Sequence, residues 1–328
     1  MSSKFFTLRN IFVTVCFLML AFVVFKVERM NDKLSLVVKP AKQFGLQQII
    51  SQYPFNPDWA VETPPETIQF VNMLTQQPFY LIGKGFQVTA FVSEDGEYVL
   101  KFIHQGRLKE VPFLHNPIGY LFSKDFQNKM EERQEHREEI FSSSKMAYEE
   151  FPEESGMIYV HLNRTTDNTI KGIKLHDTTG LSYRVRGDDT SFVVQKRAHY
   201  VLPTIKALMT AGKVEEAKTR INQIFDLLLS MAKKGFLDGD VALMRNNNIG
   251  FVADRAVYID TGHITRRQTV NLKERMLFEF NVRAAPLHDW LKITYPELAT
   301  YYRQRQDEIL STLSDTPIKA DNKLKAQV

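Results

Sequence analysis

The chain has 328 residues, of which 44% are hydrophobic and 24% carry scattered charges, a composition that excludes an intrinsically disordered protein and predicts a sizeable core. Its net charge of +4 comes without a dense basic stripe interleaved with aromatic residues, so we expect no nucleic-acid partner. The single cysteine, Cys16, excludes an intramolecular disulfide and a zinc site built on a pair of thiols.

An apolar segment near the N-terminus is the first predicted element. Residues 10–25 read NIFVTVCFLMLAFVVF, without a charge, and Arg9 and Lys26 bracket them. A membrane-spanning helix usually needs ~20 apolar residues, so these cations have to extend the span by reaching the interface with their long side chains. A cleaved signal peptide and a buried core helix are alternatives, but residues 26–30 offer no small-x-small cleavage site. We therefore predict a single-pass anchor within residues 1–30, with membrane lipid as a partner.

The cations that flank this segment bear on its orientation, because cytoplasmic flanks carry an excess of Lys and Arg. Lys4, Arg9 and the α-amine precede it. Five cationic side chains follow it: Lys26, Arg29, Lys33, Lys39 and Lys42. The excess on the C-terminal side favours a cytoplasmic location for the rest of the protein. Residues 31–62 contain three prolines that discourage one long helix, and we expect them to form a juxtamembrane linker.

A β-rich half is predicted over residues 63–197. Thr63-Pro64-Pro65-Glu66 has the composition of a helix start. Aromatic and β-branched residues then predict strands at 79–82, 86–93, 97–102, 157–162, 181–186 and 191–196. Asp95-Gly96 predicts a tight hairpin between the second and third of these strands, and Gly187-Asp188-Asp189 predicts another between the last two. Residues 124–151, between the two groups of strands, form a long polar helix with a solvated, charged face.

A helical half is predicted over residues 198–316, followed by a flexible tail at 317–328. Residues 214–234 repeat apolar positions on one helical face, and Gly235 is a natural terminator of that helix. A short strand pair is expected at 249–252 and 256–259, with helices from residue 270 onward. A β-rich half followed by a helical half predicts a two-lobed α+β protein.

Two features of the β-rich half bear on chemistry. Gly83-Lys84-Gly85 lies between two predicted strands, where glycines allow backbone amides to approach a phosphate. Lys101 stands in a strand with apolar neighbours on both sides, and a buried ammonium requires a partner. Four glutamates of the long helix qualify as that partner: Glu138, Glu139, Glu149 and Glu150. A simple strand-to-strand turn and an outward-facing lysine are the plainer alternatives.

A third feature lies in the helical half, where acidic and amide side chains flank the predicted strand pair. Asp238 and Asp240 come before it with Asn248, and Asp260-Thr261-Gly262 comes directly after it. A carboxylate can orient or deprotonate a hydroxyl group, and an amide oxygen with a second carboxylate can hold Mg²⁺ on phosphates. Two polar turns flanking a hairpin are the plainer alternative. Motifs of zinc proteases, serine hydrolases and Walker-type nucleotide sites are absent from the sequence.

The order of these three features resembles the protein-kinase-like fold. The resemblance implies that the protein binds ATP and Mg²⁺, with Gly83, Gly85 and Lys101 at the phosphates. It further implies Asp240 or Asp238 as the catalytic base, assisted by Lys101, and Asn248 and Asp260 as the metal ligands. The chain departs from the family pattern, because Val88 replaces the third glycine of the loop and no His-Arg pair precedes the catalytic aspartate. Asp240 also precedes Asn248 by eight positions rather than five.

We therefore expect a membrane-anchored, ATP- and Mg²⁺-dependent phosphotransferase or a nucleotide-binding pseudokinase, acting on or binding a protein that the sequence does not identify. A non-catalytic, membrane-tethered scaffold and an unrelated α+β domain are the alternatives, since fold-level resemblance does not establish function. Geometry separates these interpretations. A kinase-like site requires Lys101 and Asp260 to converge on one cleft under Gly83 and Gly85.

Overall fold

The computed structural model describes residues 45–51, 55–85, 87–104, 124–166, 169–239 and 248–319. The anchor predicted within residues 1–30 lies outside these ranges, as does Asp240, so both stay predictions. Within the described ranges, no helix combines the length and the apolar character needed to cross a membrane.

A seven-stranded sheet dominates the N-terminal half of the described chain. Its strands are β1 (Pro78–Lys84), β2 (Val88–Ser93), β3 (Tyr98–Ile103), β4 (Met157–His161), β5 (Gly172–His176), β6 (Ser182–Arg186) and β7 (Phe192–Lys196). Their spatial order is β4-β7-β3-β2-β1-β5-β6. β1 and β5 run parallel, and the other neighbours are antiparallel. The predicted hairpin between β2 and β3 is confirmed, and Gly96 supplies its turn with a φ of 80°.

The predicted hairpin between β6 and β7 is wrong. β6 pairs with β5 at one edge of the sheet, whereas β7 lies between β3 and β4 near the other edge. Residues Gly187–Asp189 form a 3₁₀ turn that starts this long crossing. The carboxylate of Asp188 is buried and accepts hydrogen bonds from the Thr165 hydroxyl and the Ile170 amide. The turn is therefore fixed to the segment before β5 instead of closing a hairpin.

Helices flank the sheet and fill the C-terminal half. They are α1 (Pro65–Leu74), α2 (Lys124–Glu149), α3 (Pro152–Ser155), α4 (Val201–Thr210), α5 (Val214–Lys233), α6 (Leu272–Phe278), α7 (Ala285–Thr294) and α8 (Pro296–Thr312). A π-helical turn, Glu279–Arg283, joins α6 to α7. Gly235 has a φ of 78° just beyond α5, as its predicted role as terminator requires.

Short strands connect the helices of the C-terminal half. β8 (His199–Tyr200) and β11 (Arg255–Tyr258) lie on either side of β10 (Ile249–Val252), and β9 (Phe236–Asp238) pairs with β12 (Ile264–Arg266). The predicted strand pair is thus confirmed as β10 and β11. β13 (Thr269–Val270) pairs with β14 (Ile318–Lys319). Residues 320–328 of the predicted flexible tail lie outside the described residues, and β14 occupies two positions at its start.

A continuous apolar core extends from the helices of the C-terminal half to strands β3, β4 and β7 of the sheet. The buried face of α5 includes Phe225, whose ring lies 4.7 Å from the rings of both Phe280 and Tyr302. The same core reaches Phe141 of α2, which packs edge-on against Trp59. The described fold is therefore mixed α+β with one large sheet, and it is compatible with a two-lobed kinase-like plan.

Candidate functional site

A cavity of about 760 Å³ lies where the sheet meets the C-terminal half. On its sheet side it is lined by residues from three adjacent strands, namely Ile82, Ala90, Val99 and Lys101. The connection from β7 to α4 at residues 195–200, the start of α4, and the end of β11 with Ile259 line the rest. The lining combines apolar residues with polar and cationic side chains, among them Lys196, Arg197 and His199, and a cavity of this volume is typical of small-molecule sites.

Strand alternation places Lys101 in this cavity. Leu100 and Phe102 point to the opposite, fully buried face of β3, so Val99 and Lys101 share the cavity face. Lys101 is paired in register with Ala90 on β2 and Val193 on β7, and the small side chain of Ala90 leaves room beside it. The structure therefore excludes the outward-facing alternative for this lysine.

The ammonium of Lys101 donates a hydrogen bond to the carbonyl oxygen of Ile259, a residue 158 positions further along the chain. Ile259 directly precedes Asp260. Burial lowers the pKa of Lys101 from 10.5 to about 8, and the negative charge of Asp260 offsets part of that effect. Lys101 and Ile259 thus meet at one cavity, whereas Asp260, Gly83 and Gly85 are not among its lining residues, so the kinase-like arrangement of this site stays a prediction.

Asn248 and Asp260 are brought to the same end of the β10–β11 hairpin. The amide of Ile259 donates to the carbonyl oxygen of Asn248 over 2.7 Å, which aligns the residues that flank the two strands. Asp260 is exposed, and its Oδ1 accepts a hydrogen bond of 3.0 Å from the Gly262 amide. Carboxylate and amide oxygens suit Mg²⁺. Among the described residues, no cluster of three or more His, Cys, Asp or Glu side chains could hold a metal without further ligands.

The glycine loop, residues 83–87, reaches the Asp260 segment through Gln87. The Gly85 amide donates to the Val88 carbonyl over 2.8 Å, so this amide is already used within the turn. Gln87 Nε2 lies 3.5 Å from His263 Nε2. A Cβ atom on Gly262 would come within 3.3 Å of Gln87 Oε1, so the two segments lie close together. Phosphate binding by Gly83 and Gly85 stays a prediction.

In the described structure, none of the four candidate glutamates of the long helix pairs with Lys101. Each of them makes a different contact. Glu138 accepts a hydrogen bond from the Trp59 indole, Glu149 lies 4.0 Å from Lys145, and Glu150 pairs with Arg266 over 2.6 Å. Glu139 lies 3.1 Å from His263 Nδ1.

His263 therefore connects the glycine loop with the long helix, a contact that the sequence interpretation missed. It lies beside both Glu139 of α2 and Gln87 of the glycine loop. The available signal was its position directly after Asp260-Thr261-Gly262. Its partners come from distant parts of the chain, and no local pattern connects them.

Asp238 belongs to a buried ion cluster. Its side chain is only 4% exposed and accepts a hydrogen bond from the guanidinium of Arg283, which also donates to both carboxylate oxygens of Glu279 over 2.9 and 3.0 Å. Although burial opposes the charge, the neighbouring Tyr258, Glu279 and Asp238 raise the pKa of Arg283. This arrangement favours a structural role for Asp238 and leaves Asp240 as the stronger candidate for a catalytic base.

Comparisons with known proteins are sparse. No protein-family profile matches this chain, and no curated protein matches it. Among solved structures, it is similar to the bifunctional kinase-methyltransferase WbdD, with 15% sequence identity and a TM-score of 0.31. The match covers 74% of this chain and 45% of WbdD, so the chain spans less than half of that protein. Such a low TM-score carries no argument, and the proposals below depend on the geometry of the site.

Replacing Arg283 with methionine should lower the free energy of unfolding by about 3–5 kcal/mol, because Asp238 would stay buried without its cation and Glu279 would keep only Arg275. Chemical denaturation measures this loss. The matched control is Arg305→Met, which breaks an exposed pair with Glu308 and should cost less than ~1 kcal/mol. Equal effects of the two substitutions would contradict a structural role for the cluster.

Lys101 should also give stability a specific pH dependence. Its pKa is about 8 in the folded protein and 10.5 in the unfolded chain, so the unfolded chain binds more protons between these values. The cost of burying the charged lysine is present in full below pH 8 and disappears as the pH rises towards 10.5. Denaturation of wild type and Lys101→Met should therefore show a stability difference that changes in favour of wild type over this window. A pH-independent difference would contradict the lowered pKa.

Proposed function

We propose that this domain binds a nucleoside triphosphate together with Mg²⁺ in the cavity described above, as a kinase-like module. The observation that carries the proposal is the contact between Lys101 and Ile259. It brings a partly dehydrated ammonium, which makes no carboxylate ion pair among the described residues, to a cavity beside an exposed aspartate. Perturbed charged groups of this kind in a cleft are typical of functional sites.

The lining of the cavity supports a ligand with both apolar and anionic parts. Ile82, Ala90 and Val99 on the sheet side and Val257 opposite them form an apolar lining that suits a nucleobase. Lys101 lies on the same sheet face and would neutralise a phosphate oxygen. Phosphate binding would return to this ammonium the electrostatic stabilisation that burial removes.

Asn248 and Asp260 are the residues that would hold Mg²⁺. Both carry hard oxygen atoms at the same end of the β10–β11 hairpin, Asn248 buried and Asp260 exposed, and the Gly262 amide hydrogen-bonds to the Asp260 carboxylate. The metal ion, when bound, supplies positive charge that bridges and neutralises phosphate oxygens. Phosphate and water oxygens would complete its coordination, since Mg²⁺ is commonly bound by one or two protein ligands.

Nucleotide binding is the better supported part of this proposal, and transfer of a phosphoryl group is its extension. Because Asp238 pairs with Arg283, transfer would depend on Asp240 as the group that orients or deprotonates the acceptor. A pseudokinase uses the same binding site without such a base. Either form would act at a membrane if residues 1–30 form the predicted anchor.

The proposal predicts stabilisation by Mg²⁺ and ATP that depends on Lys101. At a ligand concentration ~100 times the dissociation constant, binding should add ~2.7 kcal/mol to the stability of the full chain, which a thermal-shift titration detects readily. Lys101→Met should lose most of this shift, because an apolar side chain of similar length cannot pair with phosphate. Lys233→Met, the same substitution at an exposed position of α5, should retain it.

The metal part of the experiment uses Asp260→Asn, with Asp254→Asn in the exposed β10–β11 turn as its control. Only the Asp260 variant should lose the additional shift that Mg²⁺ gives over ATP with a chelator. No shift for wild type with any purine nucleotide and Mg²⁺ would refute nucleotide binding and leave the non-catalytic scaffold.

A further inference from the structure

The outward face of the β5–β6 hairpin concentrates positive charge. Lys174 and Arg184 are directly opposite each other in the antiparallel register, and both are exposed. Arg186 lies two residues beyond Arg184 on the same face. Like charges directly opposite each other destabilise a strand pair. Among the described residues, no acidic side chain pairs with Lys174 or Arg184, whereas Arg186 lies 3.7 Å from the carboxylates of both Asp188 and Asp189. We call Lys174, Arg184 and Arg186 the basic face.

Exposed aromatic and apolar side chains border the basic face. Tyr80 of β1 pairs in register with His176 of β5, and their rings stack with centroids 5.1 Å apart. Tyr80 is 41% exposed, and Leu181, in the turn between β5 and β6, is 52% exposed. Surfaces that bind membranes typically combine cations, which contact lipid headgroups, with aromatic and apolar residues at the interface.

The described chain passes one end of this face at Ile50 and Ser51. The Ser51 amide donates to the carbonyl of Asp189 over 2.7 Å, and Ile50 forms a β-bridge with Thr190. Asp189 in turn lies 3.7 Å from Arg186, at one end of the basic face. From the end of the apolar segment at residue 25 to Gly45 there are 20 residue steps, which span at most roughly 70 Å. A tether of this length raises the effective concentration of the face near a membrane.

We propose that the basic face docks on the anionic phospholipid headgroups of a membrane. The proposal draws on the predicted anchor for its tether, and it is independent of nucleotide binding. Nucleic acid would also suit the charge, but it would not account for the exposed Leu181 in the turn. Ile82 of β1 follows Tyr80 on the same strand face and lines the cavity, so docking would hold the cavity beside the membrane surface.

The substitution Lys174→Glu should weaken docking without lowering the stability of the protein. Lys174→Glu converts the cross-strand repulsion with Arg184 into an attraction, so the variant should be at least as stable as wild type. The same change removes one cation from the basic face and adds an anion. Because each cation near an anionic surface strengthens binding about fivefold, docking should weaken roughly 25-fold. A merely destabilised variant would lose both stability and docking.

Hydrogen exchange of the full chain in nanodiscs tests the proposal. Amides of residues 172–186 should exchange more slowly in discs that contain phosphatidylserine than in discs of phosphatidylcholine alone, and high salt should remove the difference. Lys174→Glu and Arg184→Gln should lose this protection, whereas Lys233→Glu on α5 should keep it. If the full chain does not insert into the discs, the same discs are added to the chain in solution and the same exchange is measured.

Two outcomes would overturn the docking proposal. The first is equal exchange of residues 172–186 in both kinds of disc, with wild type folded. The second is protection of these residues by a nucleic-acid duplex at the same ionic strength, without any effect of phosphatidylserine. Loss of the nucleotide-dependent thermal shift would leave this result unaffected, so the two proposals fail separately.

Discussion

The hydrogen bond between the ammonium of Lys101 and the carbonyl of Ile259 is the interaction on which the functional interpretation depends. It joins the central strands of the large sheet to the end of the β10–β11 hairpin. The ammonium needs this partner, because the strand ladder of β3 does not provide one for a lysine side chain on an apolar face. The cavity, the lowered pKa of Lys101 and the proximity of Asp260 all follow from this meeting of distant segments.

The buried cluster around Arg283 stabilises the segments on the other side of the cavity. Arg283 comes from the π-helical turn between α6 and α7, and it holds Asp238 at the end of β9. Tyr258, at the end of β11, lies close enough for its pKa to be raised by burial and by the charge of Glu279. A cluster of this kind fixes geometry more than it adds stability, since removing charges from water is costly. It therefore supports the hairpin end that presents Asn248 and Asp260.

Local patterns predicted much of the fold, and non-local contacts explain most of the errors. The turn at Gly96, the apolar face of α5 and the terminator Gly235 depend on neighbouring residues, and the structure confirms them. Strand β5 was not predicted, because it is only five residues long and its pairing with β1 and β6 depends on strands that are distant in the sequence. The contacts of Glu139 with His263 and of Asp238 with Arg283 join distant positions. The chemical types of these residues indicated function, but only the fold decides their partners.

A nuclear magnetic resonance titration of the Lys101 ε-methylene, in the presence and absence of Mg²⁺ and ATP, measures the central interaction directly. The arrangement described here gives a pKa near 8 for Lys101 in the free protein. Bound phosphate should raise that pKa, because it favours the charged form of the ammonium. An ordinary value near 10.5 that nucleotide leaves unchanged would contradict both the burial of this lysine and its role in holding phosphate.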